Sequence, residues 1–316
     1  MAGNTVRYTE PDPRKPAGRP AQAGAAGSIR PLVPGMRWLL FTAAVLVLLA
    51  GFQLFVLTGR TGTFFAWTIA NPLAAAFLGG GYWASVSIEA LAGRQAVWAN
   101  ARIAVPTVFV FTVLTLAATL MHLNQFHLGS QFAAGTRIVT WGWLAVYVLV
   151  PVLMLIVLVV QASTPGVDPP RSAPLPNWLL ATLAIQAVVL LGFGVALFAA
   201  PGQAASLWPW KLTPLLAEAT GAWLISLGVA AGHALLERDA RRLRPAAAGS
   251  IALPLLLAAT LARYPHQFHW HTTTAIAYLT LLATMLLTGT AILTQGRPRT
   301  PPPVTKPDRI PAGQRR

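Results

Sequence analysis

The chain contains no cysteine. That absence excludes disulfides, thiolate nucleophiles, iron–sulfur ligation and soft-metal thiolate sites together. A bound metal would have to rest on histidine, carboxylate or backbone oxygen. Charge is scarce as well. Only 10% of the 316 residues are charged, where a soluble domain carries about 25%. Signatures of common catalytic sites are missing too, with no P-loop, no His-Glu-x-x-His, no nucleophile elbow and no dinucleotide-binding glycine fingerprint.

What is abundant is apolar. Hydrophobic residues make up 55% of the chain and its mean hydropathy is +0.59, which points to the bilayer as solvent. A hydrocarbon core of about 30 Å takes roughly 20 residues of helix to cross. Eight runs meet that length, at about 38–57, 72–92, 103–122, 138–160, 178–199, 213–236, 248–264 and 273–293. The seventh is the shortest and holds Pro254, and Pro106 sits similarly in the third. Proline is tolerated in a membrane helix when neighbours satisfy the freed carbonyl.

Basic residues set an orientation. With the N-terminus in the cytoplasm, inner segments carry 19 of the 23 Lys and Arg residues and outer segments carry Arg60, Arg137, Lys211 and Arg263. The net charge of +15 therefore reads as a positive-inside signal, not as a nucleic-acid footprint. Residues 1–36 and 296–316, rich in proline and arginine, are expected to be disordered cytoplasmic tails, with no signal peptide at the start. Their partners are expected to be the bilayer and its anionic inner-leaflet lipids. Residues 161–177 read as a proline-rich cytoplasmic linker. Alanine is abundant and arginine outnumbers lysine by 20 to 3, which suggests a GC-rich bacterial genome and hence a bacterial plasma membrane.

The chain also repeats itself. Trp38-Leu-Leu40 recurs as Trp178-Leu-Leu180, and Pro72-Leu73, Ala75 and Gly79 recur as Pro214-Leu215, Ala217 and Gly221. Leu116-Ala-Ala-Thr-Leu120 recurs as Leu257-Ala-Ala-Thr-Leu261, and Gln125-Phe-His127 as Gln267-Phe-His269. The offsets are 140, 142, 141 and 142 residues. Single apolar words arise by chance, but four in order at nearly one offset do not. The expected fold is all-α, a polytopic membrane protein of eight transmembrane helices in two tandem parallel repeats of four, 37–160 and 178–295. Four spans per unit force both copies into one orientation.

The unusual chemistry collects at the outer face. His122, Gln125, His127, His266, Gln267, His269 and His271 fall at the outer ends of the third and seventh spans. Neutral imidazole suits zinc, copper or iron, and the repeat makes His127 and His269 the metal candidates. The plainer expectation is interfacial histidines satisfied by water, with a pH-responsive cluster as a further alternative. The copies differ where Ala76 aligns with Glu218 and His122 with Arg263. A carboxylate among membrane helices needs a partner, so a Glu218–Arg263 ion pair is expected. Phe64-Phe-Ala-Trp67 and Trp208-Pro-Trp210 are expected to lie along the headgroups, an aromatic wall around an apolar substrate being the alternative. Glu89 reads as an interfacial acid near Arg94 and Arg102, and Arg238–Arg244 as a topogenic run that follows His233 and Glu237. Gly79-Gly-Gly81 is a place where span two could bend, though helix packing explains it more simply. Gly228-Val-Ala-Ala-Gly232 permits close helix contact.

Few polar residues lie within the spans, so a hydrophilic path has little to line it. The expected function is binding or transport of a small apolar or lipidic molecule at a site toward the outer face. The alternatives are a histidine-dependent metal or haem enzyme and a non-catalytic membrane scaffold. The sequence requires no cofactor.

Overall fold

A computed structural model describes residues 27–295. The expectations for residues 1–26 and 296–316 lie outside the described residues. Eight long helices form: α1 Pro34–Gly51, α2 Pro72–Gly93, α3 Ala104–Met121, α4 Ala134–Ser163, α5 Asn177–Ala199, α6 Pro214–Glu237, α7 Arg244–Arg263 and α8 Thr273–Gln295. No strand occurs among the described residues. Seven of the helices are long and apolar enough to cross a membrane, α1 being extended to Val56 by a π-helical turn, as expected of a multi-pass membrane protein.

The exception is α2, whose glycines, serines, Tyr82 and Glu89 lower its hydropathy. Its position explains why it need not be apolar all round. Fifteen of its 22 residues are buried, so protein covers most of what lipid would otherwise meet. The same holds for α6, with 15 of 24 buried. Both start in one way. Asn71 Oδ1 accepts from the Ala74 N–H at 3.2 Å and Thr213 Oγ1 from the Leu216 N–H at 3.4 Å, each followed by a proline at the first helical position. These are N-caps that satisfy amides the helix itself leaves unpaired.

Neighbour relations are paired as well. Helix α1 packs on α2 and α5 on α6; α3 packs on α4 and α7 on α8. The central helices reach across: α2 packs on α7, and α6 packs on α3. Glycine permits the closest of these approaches. A Cβ at Gly79 would lie 2.4 Å from the Phe55 backbone nitrogen, and one at Gly221 2.7 Å from the Gly194 carbonyl oxygen. The three consecutive glycines of α2 leave the helix unbroken, and each meets a different neighbour. Gly79 lies against the end of α1, Gly80 against Leu257 of α7 and Gly81 against Trp223 of α6. In the Gly228–Gly232 pattern only the first glycine is at a contact, with Leu191, while nothing lies within 4 Å of a Cβ at Gly232.

At one end of the bundle, called here the linker end, residues 27–33 are held in place. Arg30 and Val167 pair through backbone hydrogen bonds, as do Leu32 and Ala96, and Gln161 bonds both Val33 N–H and Pro31 O at 2.9 Å. The Gln-Phe-His tips lie at the opposite, histidine end.

Gly79→Ala should lower stability by about 1–3 kcal/mol, since the added methyl meets backbone that cannot turn aside. Gly232→Ala should instead leave stability unchanged or raise it by about 0.5–1 kcal/mol. Thermal unfolding of the two variants in one detergent distinguishes these outcomes.

Candidate functional site

The histidine tips are built from backbone contacts between loops. The His127 N–H donates to Ala66 O at 3.0 Å, and the His269 N–H donates to Pro209 O at 3.2 Å. The loop containing Trp67 or Trp210 is thereby tied to the tip of its own half. The side chains then diverge. His127 is buried at 2% exposure. Its Nδ1–H donates to Phe65 O at 2.9 Å, and its Nε2 accepts from Thr68 Oγ1 at 3.0 Å. No ring lone pair remains for a metal, so His127 is an internal strut and not an interfacial residue satisfied by water. The side chains of His266, His269 and His271 are exposed. Gln267 Oε1 accepts from the Leu73 N–H at 3.2 Å, capping α2 from the opposite half. Among the described residues no group of three or more His, Asp or Glu side chains could hold a metal ion.

Glu218 is paired, but not with Arg263. Its Oε2 accepts from His122 Nε2 at 2.9 Å, and His122 Nδ1 accepts from Gln125 Nε2 at 3.1 Å. Arg263 is exposed and donates to Phe55 O at 2.6 Å and Val56 O at 3.4 Å, carbonyls of the π turn that ends α1. The cause is the crossed packing. Helix α6 lies on α3, which ends at His122, while α7, which ends at Arg263, lies on α2. Across that contact Arg263 faces the helix that carries Ala76, and it turns to orphan carbonyls instead.

Apart from Phe64, which is 40% exposed, the aromatic segments are core, not headgroup anchors. Phe65, Trp67, Trp208 and Trp210 are at most 6% exposed. Trp67 packs against Trp143 and Phe126, and Trp210 against Tyr278 and Phe268. The exposed tryptophans are others, Trp38, Trp141 and Trp178 among them.

Beside Trp208 lies a cavity of about 400 Å³, within the usual range of about 300–1,000 Å³ for ligand sites. Phe77 and Gly81 of α2, Leu224 of α6, Leu253 of α7 and Met285 of α8 line it, and no charged residue does. Its wall includes Val189 of α5 and Ala277 of α8, both exposed on the bundle surface, so the cavity opens between those two helices. Polar atoms are few. Trp208 is 6% exposed, and its indole N–H has no hydrogen-bond partner among the described residues. In the first half, Tyr82 stands 142 residues before Leu224. The Tyr82 hydroxyl meets that of Tyr147 at 2.6 Å, and its ring packs edge-on against Phe111 and Trp143. Aromatic rings fill the space there, where an aliphatic side chain borders a cavity in the second half.

The linker end holds charges whose partnerships the sequence did not reveal. Arg102 donates to both Glu237 oxygens and, at 2.5 Å, to Asp168 of the linker. Arg242, 6% exposed, donates to Glu237 Oε2 at 2.9 Å, and His233 Nε2 meets Glu237 Oε1 at 3.1 Å. Of the Arg238–Arg244 run, Arg242 thus belongs to an internal ion-pair network. The hydrogen bonds to Glu237 raise the Arg102 pKa above its ordinary value. Arg102 is thus committed away from Glu89, which is buried at 2% with its Oε2 unpaired and is not the interfacial acid expected. Asp239 Oδ2 accepts from the Ser172 and Ala173 N–H groups and Oδ1 from those of Arg241 and Arg242. Burial alone would raise the Asp239 pKa, but these four donors overcome it and hold the carboxyl below its ordinary 3.8.

No family model, curated protein or solved structure matches the chain.

Two measurements follow. A double-mutant cycle of His122→Ala with Glu218→Gln should show a coupling of about 0.5–3 kcal/mol, whereas Arg263→Ala with Glu218→Gln should be additive within about 0.5 kcal/mol. Asp239 has a depressed folded pKa, so the stability it contributes is complete above 3.8 and is lost as pH falls through the lower folded value. Asp239→Asn should therefore flatten the acid limb of a stability–pH profile.

Proposed function

We propose that this chain is a protein of a bacterial plasma membrane that binds, and by extension moves or presents, a small uncharged apolar or lipidic molecule. The observation that carries this reading is the cavity beside Trp208, which has no charged wall and opens between α5 and α8. A mouth between membrane helices admits a molecule from the bilayer without first passing water, and an apolar wall favours chains over headgroups. A charged ligand would lose its hydration with no counter-charge in the wall.

The same reading takes α2 as an eighth crossing. Its 22 residues amount to about 33 Å of helix, and its neighbours shield its polar positions. It also takes the two halves as tandem repeats, a view supported by the shared offsets, the matching helix starts and the crossed packing of α2 on α7 and α6 on α3. Because the segments read as inner from the sequence carry 19 of the 23 basic residues, this reading turns the histidine end outward and puts both termini in the cytoplasm. There the basic tails meet anionic inner-leaflet lipids.

A brominated long-chain fatty acid methyl ester is a suitable probe, since it is uncharged, largely apolar and quenches tryptophan fluorescence on contact. Purified protein should show saturable quenching. Leu224→Phe, which restores an aromatic ring at this position, should weaken binding at least about tenfold, or 1.4 kcal/mol. Quenching that does not saturate, or that ignores Leu224→Phe, would sink the ligand reading and leave a membrane scaffold.

A further inference from the structure

Glu89 lies on α2 in the half of the bundle toward the linker end. It is 2% exposed, and its Oε2 has no hydrogen-bond partner among the described residues. Beside it is a cavity of about 20 Å³ walled by α1, α2, α3 and α6. That is room for a single water, which needs about 10–15 Å³. The walls bring no other titratable side chain. They do bring the hydroxyls of Ser85, Thr107 and Ser226. Those of Thr107 and Ser226 already donate within their own helices, to Ile103 O at 2.9 Å and Ala222 O at 2.7 Å, while Ser85 can turn its hydroxyl either way. The Thr107 and Ser226 hydroxyls therefore present lone pairs to the cavity and no hydrogens. An ionised carboxylate only accepts, while a protonated one carries an O–H donor. Two of the three hydroxyls around Glu89 are thus fixed as acceptors that match its protonated form, and the third can accept as well.

No cationic side chain among the described residues forms an ion pair with Glu89. The guanidinium of Arg102 is taken by Glu237 and Asp168, and Arg37 of α1 donates to Gln95 O. Arg94 is exposed at the end of α2. On α6, Glu218 is bound to His122, and both Glu237 and His233 belong to the linker network. On α7 the titratable groups are Arg244 and Arg263, at the two ends of the helix. Tyr82 of α2 and Tyr147 of α4 bond each other. A single wall divides this small cavity from the large one, because Trp223 and Leu227 line both.

We propose that Glu89 is a proton-binding site inside the bundle, coupled through the Trp223 wall to the occupancy of the apolar cavity. The coupling rests on the ligand reading given above, while the proton site stands apart from it. A molecule seated in the large cavity presses on Trp223 from one side. The carboxyl, with the one water its cavity can hold, lies on the other side. Movement of the indole then changes the volume and hydrogen bonding available to Glu89.

Infrared spectroscopy of the full chain in an ester-free detergent, read as the difference between H2O and D2O with and without the brominated methyl ester, tests both parts. Deuteration moves the C=O stretch of a protonated carboxyl and leaves that of an ester in place. At neutral pH the protein should show the C=O stretch of a protonated carboxyl. This band should vanish in Glu89→Gln, persist in Glu218→Gln and shift in Glu89→Asp, the variant that keeps a carboxyl should the glutamine form fold poorly. Addition of the ester should shift the wild-type band. A Glu89→Gln spectrum that loses only carboxylate bands, or loses none, overturns the proton site. A probe that quenches tryptophan yet leaves the band in place overturns the coupling. If the probe fails to quench at all, the ligand reading and the coupling fall together, and the band by itself decides the proton site.

Discussion

Two missing side chains, at Gly79 and Gly221, let the backbones of α1 and α2, and of α5 and α6, come nearly into contact. That approach draws α2 and α6 into the middle of the bundle, where most of their residues are buried. With no hydrophobic force to join helices already in lipid, close packing through small residues is what holds such pairs together. Everything distinctive about the interior follows from that central pair. Helix α2 can carry serines, a glutamate and three adjacent glycines because lipid scarcely touches it. Helix α6 can carry Glu218 because α3 lies beside it and delivers His122.

The polar groups of the described residues are distributed accordingly. At the linker end, Arg102, Arg242, Glu237 and Asp168 neutralise one another, and the Asp239 carboxyl gathers four backbone amides from two segments. These bonds fasten the linker to the loop between α6 and α7 and close that end of the molecule. At the histidine end, His127 and Gln267 serve as struts and caps. Between the two ends lie an uncharged cavity in the second half and a single unpaired carboxyl, Glu89. At positions 142 residues apart, aromatic rings fill the space about Tyr82 while a cavity lies beside Leu224.

Some of this was legible in the residues. The apolar runs located each long helix to within a few residues, because the length of a membrane crossing and the cost of bare backbone in lipid leave few alternatives. Repeated words such as Gln125-Phe-His127 and Gln267-Phe-His269 marked the places where the two halves use backbone in the same way. The residues that break the shared offset, Ala76 against Glu218 and His122 against Arg263, were visible as well. Their partners were not. Periodicity says which residues share a helix, but not which helix lies next to it.

That limit separates what the chain determined by itself from what only the tertiary structure decided. Composition and spacing set the solvent, the helices and the unusual residues, since each depends on local sequence. Packing decided that Glu218 meets His122 and that Arg263 caps the end of α1. It also decided that Trp67 and Trp210 lie in the core, and that Glu89 is left unpaired once Arg102 has been drawn to Glu237. An ion pair or a cavity depends on the distance between side chains remote in sequence. Here that distance follows from α2 crossing to α7 and α6 to α3.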